Sequence, residues 1–228
     1  MLDDCTCGGG IGTNATRYRY KWNRQHLSLR CPMTTSAPLI LAFGDSLVAG
    51  YGLATCDGFA AQLEHRLSAT RPGARVINAG VPGNTTADAL RRLPRVLSRL
   101  EAHPHLAIVQ LGPNDVLQDV PPTSTLSNLE AILVEFGRCG VPVLLTTVAP
   151  PPLLAQRAGP YAGIHDALAK RHDAMTWPFF PAGVLGHRDM VLADMVHPND
   201  KAIAAVVDAM LPAVDGSLER WRTADLRR

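Results

Sequence analysis

The sequence predicts an α/β fold: a three-layer α/β/α sandwich around a five-stranded parallel sheet. Two observations carry this. Apolar runs of strand length alternate with longer stretches of helical spacing from residue 38 onward, and several of those runs are apolar on both faces. Strands of that kind belong between two helical layers, and a βαβα succession feeds parallel strands through right-handed crossovers. A chain of 228 residues with 46% hydrophobic and 18% charged residues is globular and long enough to bury one full core.

The first strand is predicted over "PLILAF" (38–43), which runs straight into Gly44-Asp45-Ser46. "DGFAAQLEHRLSAT" follows as a helix, with Asp57 as N-cap and Phe59, Leu63 and Leu67 on one face. "ARVINAG" (74–80) is the second strand, and Asn84 in "GVPGNTT" is expected to start a helix. That helix, "TADALRRLPRVLSRLEAH", sets Leu93, Val96, Leu97 and Leu100 at helical spacing, with Pro94 expected to break it in two. "HLAIVQLG" (105–112) is the third strand; "TLSNLEAILVEFGRCG" is a helix stopped by Gly137 and Gly140. "VPVLLTTVAP" (141–150) and the weaker "AMTWPFF" (174–180) are strands four and five, with the helix "YAGIHDALAKRH" between them. The last helix is "NDKAIAAVVDAML", opened by Pro198 and Asn199, and residues 213–228 read as a polar tail. No repeat or linker interrupts 33–212, which read as one domain.

The first 32 residues differ from the rest. They have no apolar h-region, so they are not a secretory signal, and Met33 is expected to be the native start or 1–32 a disordered extension. They hold five basic residues against Asp3 and Asp4, which leaves 33–228 at a net −1. A near-neutral body has no electrostatic footprint for nucleic acid or an anionic membrane surface. No apolar stretch approaches the roughly 20 residues of a membrane span. Cysteines at 5, 7, 31, 56 and 139 fit neither a disulfide framework nor a zinc pattern; reduced thiols suit a cytoplasmic protein.

In a sheet of this class the active crevice lies outside the carboxyl ends of the strands. Three strand ends then bring Gly44-Asp45-Ser46-Leu47, Asn78-Ala79-Gly80 and Gly112-Pro113-Asn114-Asp115 together, and "LADMVHPND" precedes the last helix. Asp194 and His197, three residues apart, can sit on one turn with the carboxylate on imidazole Nδ1, which turns Nε2 outward as a base. A hydroxyl is a poor nucleophile until a base takes its proton, so Ser46, His197 and Asp194 read as nucleophile, base and orienting acid. The Ser46 N–H, the Gly80 N–H and the Asn114 amide are the expected oxyanion donors, Gly80 lacking a Cβ that would hinder approach. Taken singly, Ser46 reads as a helix cap, Asp194 as a turn cap, His197 as a loop histidine and Asn114 as a turn residue.

"FGDSLVAGYGL", "NAGVPGNTTADALRRLP", "HPHLAIVQLGPND" and "DMVHPND", in this order over nearly all of 38–212, resemble the GDSL or SGNH hydrolase family. The likeness is to its bacterial acyl-CoA thioesterases, lysophospholipases and arylesterases. It implies a flavodoxin-like strand order, a nucleophile on a looser turn than the Gly-x-Ser-x-Gly elbow, and a serine esterase or thioesterase acting on small to medium acyl esters through an acyl-enzyme. Carried over by motif, Ser46 is the nucleophile, Asp194 and His197 complete the triad, Gly80 and Asn114 complete the oxyanion hole, and Asp45 is structural. Pro113 and Met195 depart from the family's small residue and glycine; Met195 is expected to narrow the mouth or fix the loop.

No cofactor and no metal are expected. The histidines at 26, 65, 103, 105, 165, 172 and 187 are read as lying on polar faces, loops or the tail, without ligand spacing. "GVPGNTT" lacks the rest of a phosphate loop and is read as orienting Gly80. The expected partner is a small acyl ester or thioester, and the expected state a monomer or small homo-oligomer. A carbohydrate O-deacetylase with the same triad is the alternative, although aromatics make up only 5% of the chain. A non-catalytic binding module on the same fold is the other. Proline-rich segments at 116–125 and 150–160 are expected to flank the cleft and set acyl length.

Overall fold

The computed structural model describes residues 37–225, with side chains as far as residue 221. The expectations for residues 1–32 and Met33, including Cys5, Cys7, Cys31 and His26, lie outside the described residues. A parallel sheet of five strands has the order β2-β1-β3-β4-β5, formed by Leu39–Gly44 (β1), Arg75–Gly80 (β2), Leu106–Gln110 (β3), Val143–Thr147 (β4) and Met175–Pro178 (β5). This is the flavodoxin-like order, with β1 and β3 at its centre.

Two cores lie on the two faces of the sheet. On one, Ile40, Ala42, Leu106 and Ile108 pack against Phe59 and Leu63 of Phe59–Ser68 (α2) and against Ile203, Val207 and Val214 of Asp200–Asp225 (α8). On the other, Leu41, Phe43, Ala107 and Val109 meet Leu93 and Leu97 of Thr86–Arg99 (α3), Leu129 and Phe136 of Pro122–Cys139 (α5), and Leu168 of Ile164–Arg171 (α7). Alternate residues of β1 and β3 therefore feed opposite cores, which is why those strands read as uninterrupted apolar runs. Shorter helices, Ser46–Ala49 (α1), Pro113–Leu117 (α4) and Ala155–Ala158 (α6), stand in the loops beyond the strand ends.

Several element boundaries differ from expectation. Pro94 lies inside an unbroken α3. Its missing N–H removes one helical bond, a cost of about 3 kcal/mol, while Leu93, Leu97 and Leu100 stay buried on the sheet. A capping box between Thr85 and Asp88, rather than Asn84, starts that helix. Asp57 occupies a short 3₁₀ turn and Gly58 caps α2, while Gly137 lies within α5, which ends at Gly140. Asn199, whose Oδ1 accepts from Ala202 N–H, caps α8; Pro198 pairs instead with Val191 in an isolated bridge.

The segment read as a polar tail continues α8 to Asp225. Ala213, Val214 and Leu218 extend the core stripe of Met210, and Trp221 packs edge-on against His105. Arg71 of the α2–β2 turn reaches Asp215 and Glu219 on this extension. His103, His105 and His165 are half-buried rather than displayed: they bond to Cys139 O, Leu39 N–H and Leu111 O.

Candidate active site

β1 ends at Gly44, opposite Gly80 of β2 and Gln110 of β3. A Cβ on Gly44 would lie 2.5 Å from Gln110 O and 2.6 Å from Val48 Cγ2, so only glycine fits between strand and helix. Asp45 then caps α1 by accepting from Leu47 N–H at 3.0 Å, and Ser46 becomes the first residue of that helix. Burial pushes the Asp45 carboxyl up to about 6, against the opposing pull of the Leu47 N–H and the nearby Gln110 amide. The Gln110 carboxamide is fully buried beside it and forms no well-directed hydrogen bond among the described residues.

His197 arrives on a separate piece of chain. Between Val191 and Pro198 the backbone folds into a tight hairpin, with Leu192 N–H on His197 O and Met195 N–H on Leu192 O. Asp194 Oδ1 accepts from the backbone N–H of Val196 and His197, and Oδ2 lies 2.6 Å from His197 Nδ1. The His197 side chain, then its backbone N–H and that of Val196, hold the Asp194 carboxyl down at about 2. With Nδ1–H donated to Asp194, Nε2 is the free lone pair, and it lies 3.1 Å from Ser46 Oγ. Met195 carries φ +58, left-handed backbone that a glycine adopts more easily, and its side chain is exposed.

Asn114 and Asp115 stand on α4, beside the Asp45 carboxylate. Gly112, with φ +121, caps this helix, and Pro113 occupies its first turn, where no helical N–H is lost. Asp115 is completely buried and accepts from Thr86 N–H and from the hydroxyls of Thr86 and Thr125. It thereby ties α4 to the start of α3. Asn114 Nδ2 donates to Asn84 O at 3.1 Å and to Asp45 Oδ2 at 3.3 Å.

The structure brings Ser46, Asp194, His197 and Asn114 to one place, and it corrects Gly80. The Gly80 N–H is already donated to Asn78 Oδ1 at 2.9 Å. The residue is also pressed beneath α1, where a Cβ would come 2.2 Å from Ala49 N. Gly80 is thus a packing glycine at the sheet edge. Gly83, three residues on, is exposed with φ +77 and open space around its Cα, and its N–H meets no acceptor among the described residues. It precedes Asn84, the residue whose carbonyl holds Asn114.

Tyr51 is a second residue that sequence reasoning passed over. Its ring lies 4.5 Å from the imidazole of His197 at a 41° tilt. Next to it, Gly52 leaves room for Leu192 of the Val191–Pro198 hairpin, since a Cβ there would meet Leu192 Cδ1 at 2.6 Å. The turn after α1 is therefore the surface on which the hairpin rests. No feature of the sequence around Tyr51 marks it as facing a residue 146 positions away.

The profile of the GDSL-like lipase/acylhydrolase family matches residues 42–205. The chain belongs to that family. It is a serine ester hydrolase; three of its four motif blocks lie at the ends of β1, β2 and β3, and the fourth lies in the hairpin that precedes α8. The chain is 33% identical over 180 residues to esterase TesA of Pseudomonas aeruginosa, covering 78% of this chain and 89% of that protein. It is 30% identical over 176 residues to the Escherichia coli (strain K12) protein named thioesterase 1/protease 1/lysophospholipase L1, covering 77% and 82%. Among solved structures, the SGNH-hydrolase family esterase AlinE4 is 41% identical with a TM-score of 0.66, covering 82% of this chain and 99% of that one. The structure of TesA is 32% identical with a TM-score of 0.73, covering 78% and 99%.

Proposed function

We propose that Ser46 hydrolyses small to medium acyl esters and thioesters by a two-step route. His197 Nε2 takes the hydroxyl proton as Oγ attacks the acyl carbon. The proton then passes to the leaving alkoxide or thiolate, leaving an acyl-enzyme that water cleaves by the same path. Asp194 holds the imidazole tautomer and stabilises its protonated form. The observation that supports this reading most is the 3.1 Å approach of Nε2 to Oγ, with Nδ1 at 2.6 Å from the carboxylate.

For the oxyanion we assign the Ser46 N–H, the Gly83 N–H and the Asn114 amide. The long Asn114 contact to Asp45 is the one that a developing negative oxygen would replace. An apolar rim supports an acyl substrate: Tyr51, Leu117, Met195 and Val196 are all more than two-fifths exposed. Leu153 belongs to the 150–160 segment, which Arg157 fastens to Asp119 and to Leu117 O. That clasp supports a role for both proline-rich segments in limiting acyl length.

The experiment is a panel of acyl chains, acetyl to dodecanoyl, as p-nitrophenyl esters and as thioesters, run on the native chain and on Ser46→Ala. We expect Ser46→Ala to lose on the order of 10³–10⁶ of kcat while keeping its fold, and a fluorophosphonate to label Ser46. Full activity in Ser46→Ala would overturn the mechanism. A folded native chain that neither labels nor turns over any substrate would favour the binding-module reading.

A further inference from the structure

A concave feature whose lining excludes Ser46, Asp194 and His197 runs along the edge strand β2 and the flank of α3. It has a volume of about 820 Å³ and is lined by Arg75 and Ile77 of β2 and by Arg92, Arg95 and Arg99 of α3, with Glu101 at its end. Positions 92, 95 and 99 repeat at helical spacing, so their side chains form one stripe facing the outer side of β2. Arg75 points to the same face of the sheet, being in alternation with Ile77, which packs against that core.

Charge separates this groove from the rest of the molecule. Residues 37–225 hold 15 basic and 18 acidic residues, a net negative body, yet the groove gathers four arginines against one glutamate. Arg66, Arg71, Arg91, Arg138, Arg157 and Arg171 all have acidic partners. Arg75, Arg95 and Arg99 have none among the described residues.

Arg92 is the inner member. It is half-buried, donates to Asn84 Oδ1 at 2.7 Å and to Gly44 O at 2.8 Å, and stacks 4.3 Å over Phe43. All of those partners are uncharged, and burial pushes its pKa down to about 10. A half-buried guanidinium with only neutral acceptors is stabilised by any anion that enters beside it.

We propose that this groove binds a small organic phosphate carrying at least two phosphoryl groups. Guanidinium groups present fixed forks that match phosphate oxygens, and arginines from two elements suit two phosphoryl groups better than one. A volume of about 820 Å³ is that of a small-molecule site, and its concavity favours a free ligand over the headgroups of a flat bilayer. The site does not depend on the esterase reading. Its occupant would nonetheless touch Arg92, which is bonded to the residue before Asp45 and to the side chain of Asn84.

The test is calorimetric titration of the full chain with pyrophosphate at low salt. Inorganic phosphate and phosphatidylcholine vesicles containing phosphatidylglycerol are run in parallel, and p-nitrophenyl acetate hydrolysis serves as the folding control. Pyrophosphate is expected to bind at least ~10-fold more tightly than phosphate, and Arg95→Glu/Arg99→Glu to weaken it by ~10–100-fold with hydrolysis unchanged. Arg75→Glu, on the other element, should weaken it independently. Absence of pyrophosphate binding would overturn the proposal, as would binding that both variants leave intact. Vesicle binding that pyrophosphate cannot displace would also overturn it, in favour of a membrane-facing surface.

Discussion

Ser46 follows a strand whose six residues are all buried, whereas His197 and Asp194 ride on a hairpin in which Met195 and Val196 are more than half exposed. On the nucleophile side, Gly44 and Gly80 are enclosed by backbone, and Asp45 is buried with its carboxyl raised. On the base side, Asp194 is held low by hydrogen bonds from its own turn. Two carboxylates of one centre are thus shifted in opposite directions. The difference teaches that packing fixes where the hydroxyl stands, while local hydrogen bonds fix how the imidazole is turned.

The strongest way to break this comparison is to remove the base. His197→Ala should lower kcat by about 10⁴–10⁶ and cost only the stability that Asp194 draws from its imidazole partner, because the hairpin contributes few core contacts. A large loss of stability would show that the hairpin is part of the packed frame after all. On the opposite side, Gly80→Ala should destabilise the fold by about 3 kcal/mol, read from urea unfolding. The added Cβ meets the backbone of Ala49 rather than a side chain that can turn aside.

Asp45→Asn sharpens the contrast between the two carboxylates. The native carboxyl is raised from 3.8 to about 6, so the folded state holds its proton more tightly than the unfolded state does. Stability from this group therefore falls as pH climbs from about 4 to about 6 and is flat above. Asp45→Asn should remove that slope, worth up to about 3 kcal/mol, when urea midpoints are compared across this range. Asp194 has the reverse sign: its lowered pKa supplies stability above about 4 that is lost as pH falls toward about 2.

The smallest effect is expected at Tyr51. Tyr51→Ala should reduce kcat/KM about fivefold by uncovering the imidazole face that becomes cationic in the transition state, and Tyr51→Phe should restore most of it. An equal loss in both variants would assign the effect to the hydroxyl instead.

The sheet, its two helical layers and the meeting of Ser46, Asp194, His197 and Asn114 were legible because each of these residues lies in a motif block beside a strand end or just before the last helix. Gly80 was misread because "AGVPGN" offers two glycines three residues apart, and only the fold shows that Asn78 has captured the first N–H. The end of α8 was missed because Pro212 and the polar residues after it mask a stripe of Val214 and Leu218. The same reason explains Pro94: burial on the sheet outweighs one missing bond, and no local pattern reports that burial.

The hairpin from Val191 to Pro198 makes the Asp194–His197 contact entirely from its own residues. That pair is accordingly a prefabricated cartridge, complete before it is seated on the Tyr51 turn. A low-field proton resonance from the imidazole would therefore report the cartridge alone and should persist in Ser46→Ala and Tyr51→Ala proteins. Reactivity of Ser46 toward a phosphonate, by contrast, should register the seating.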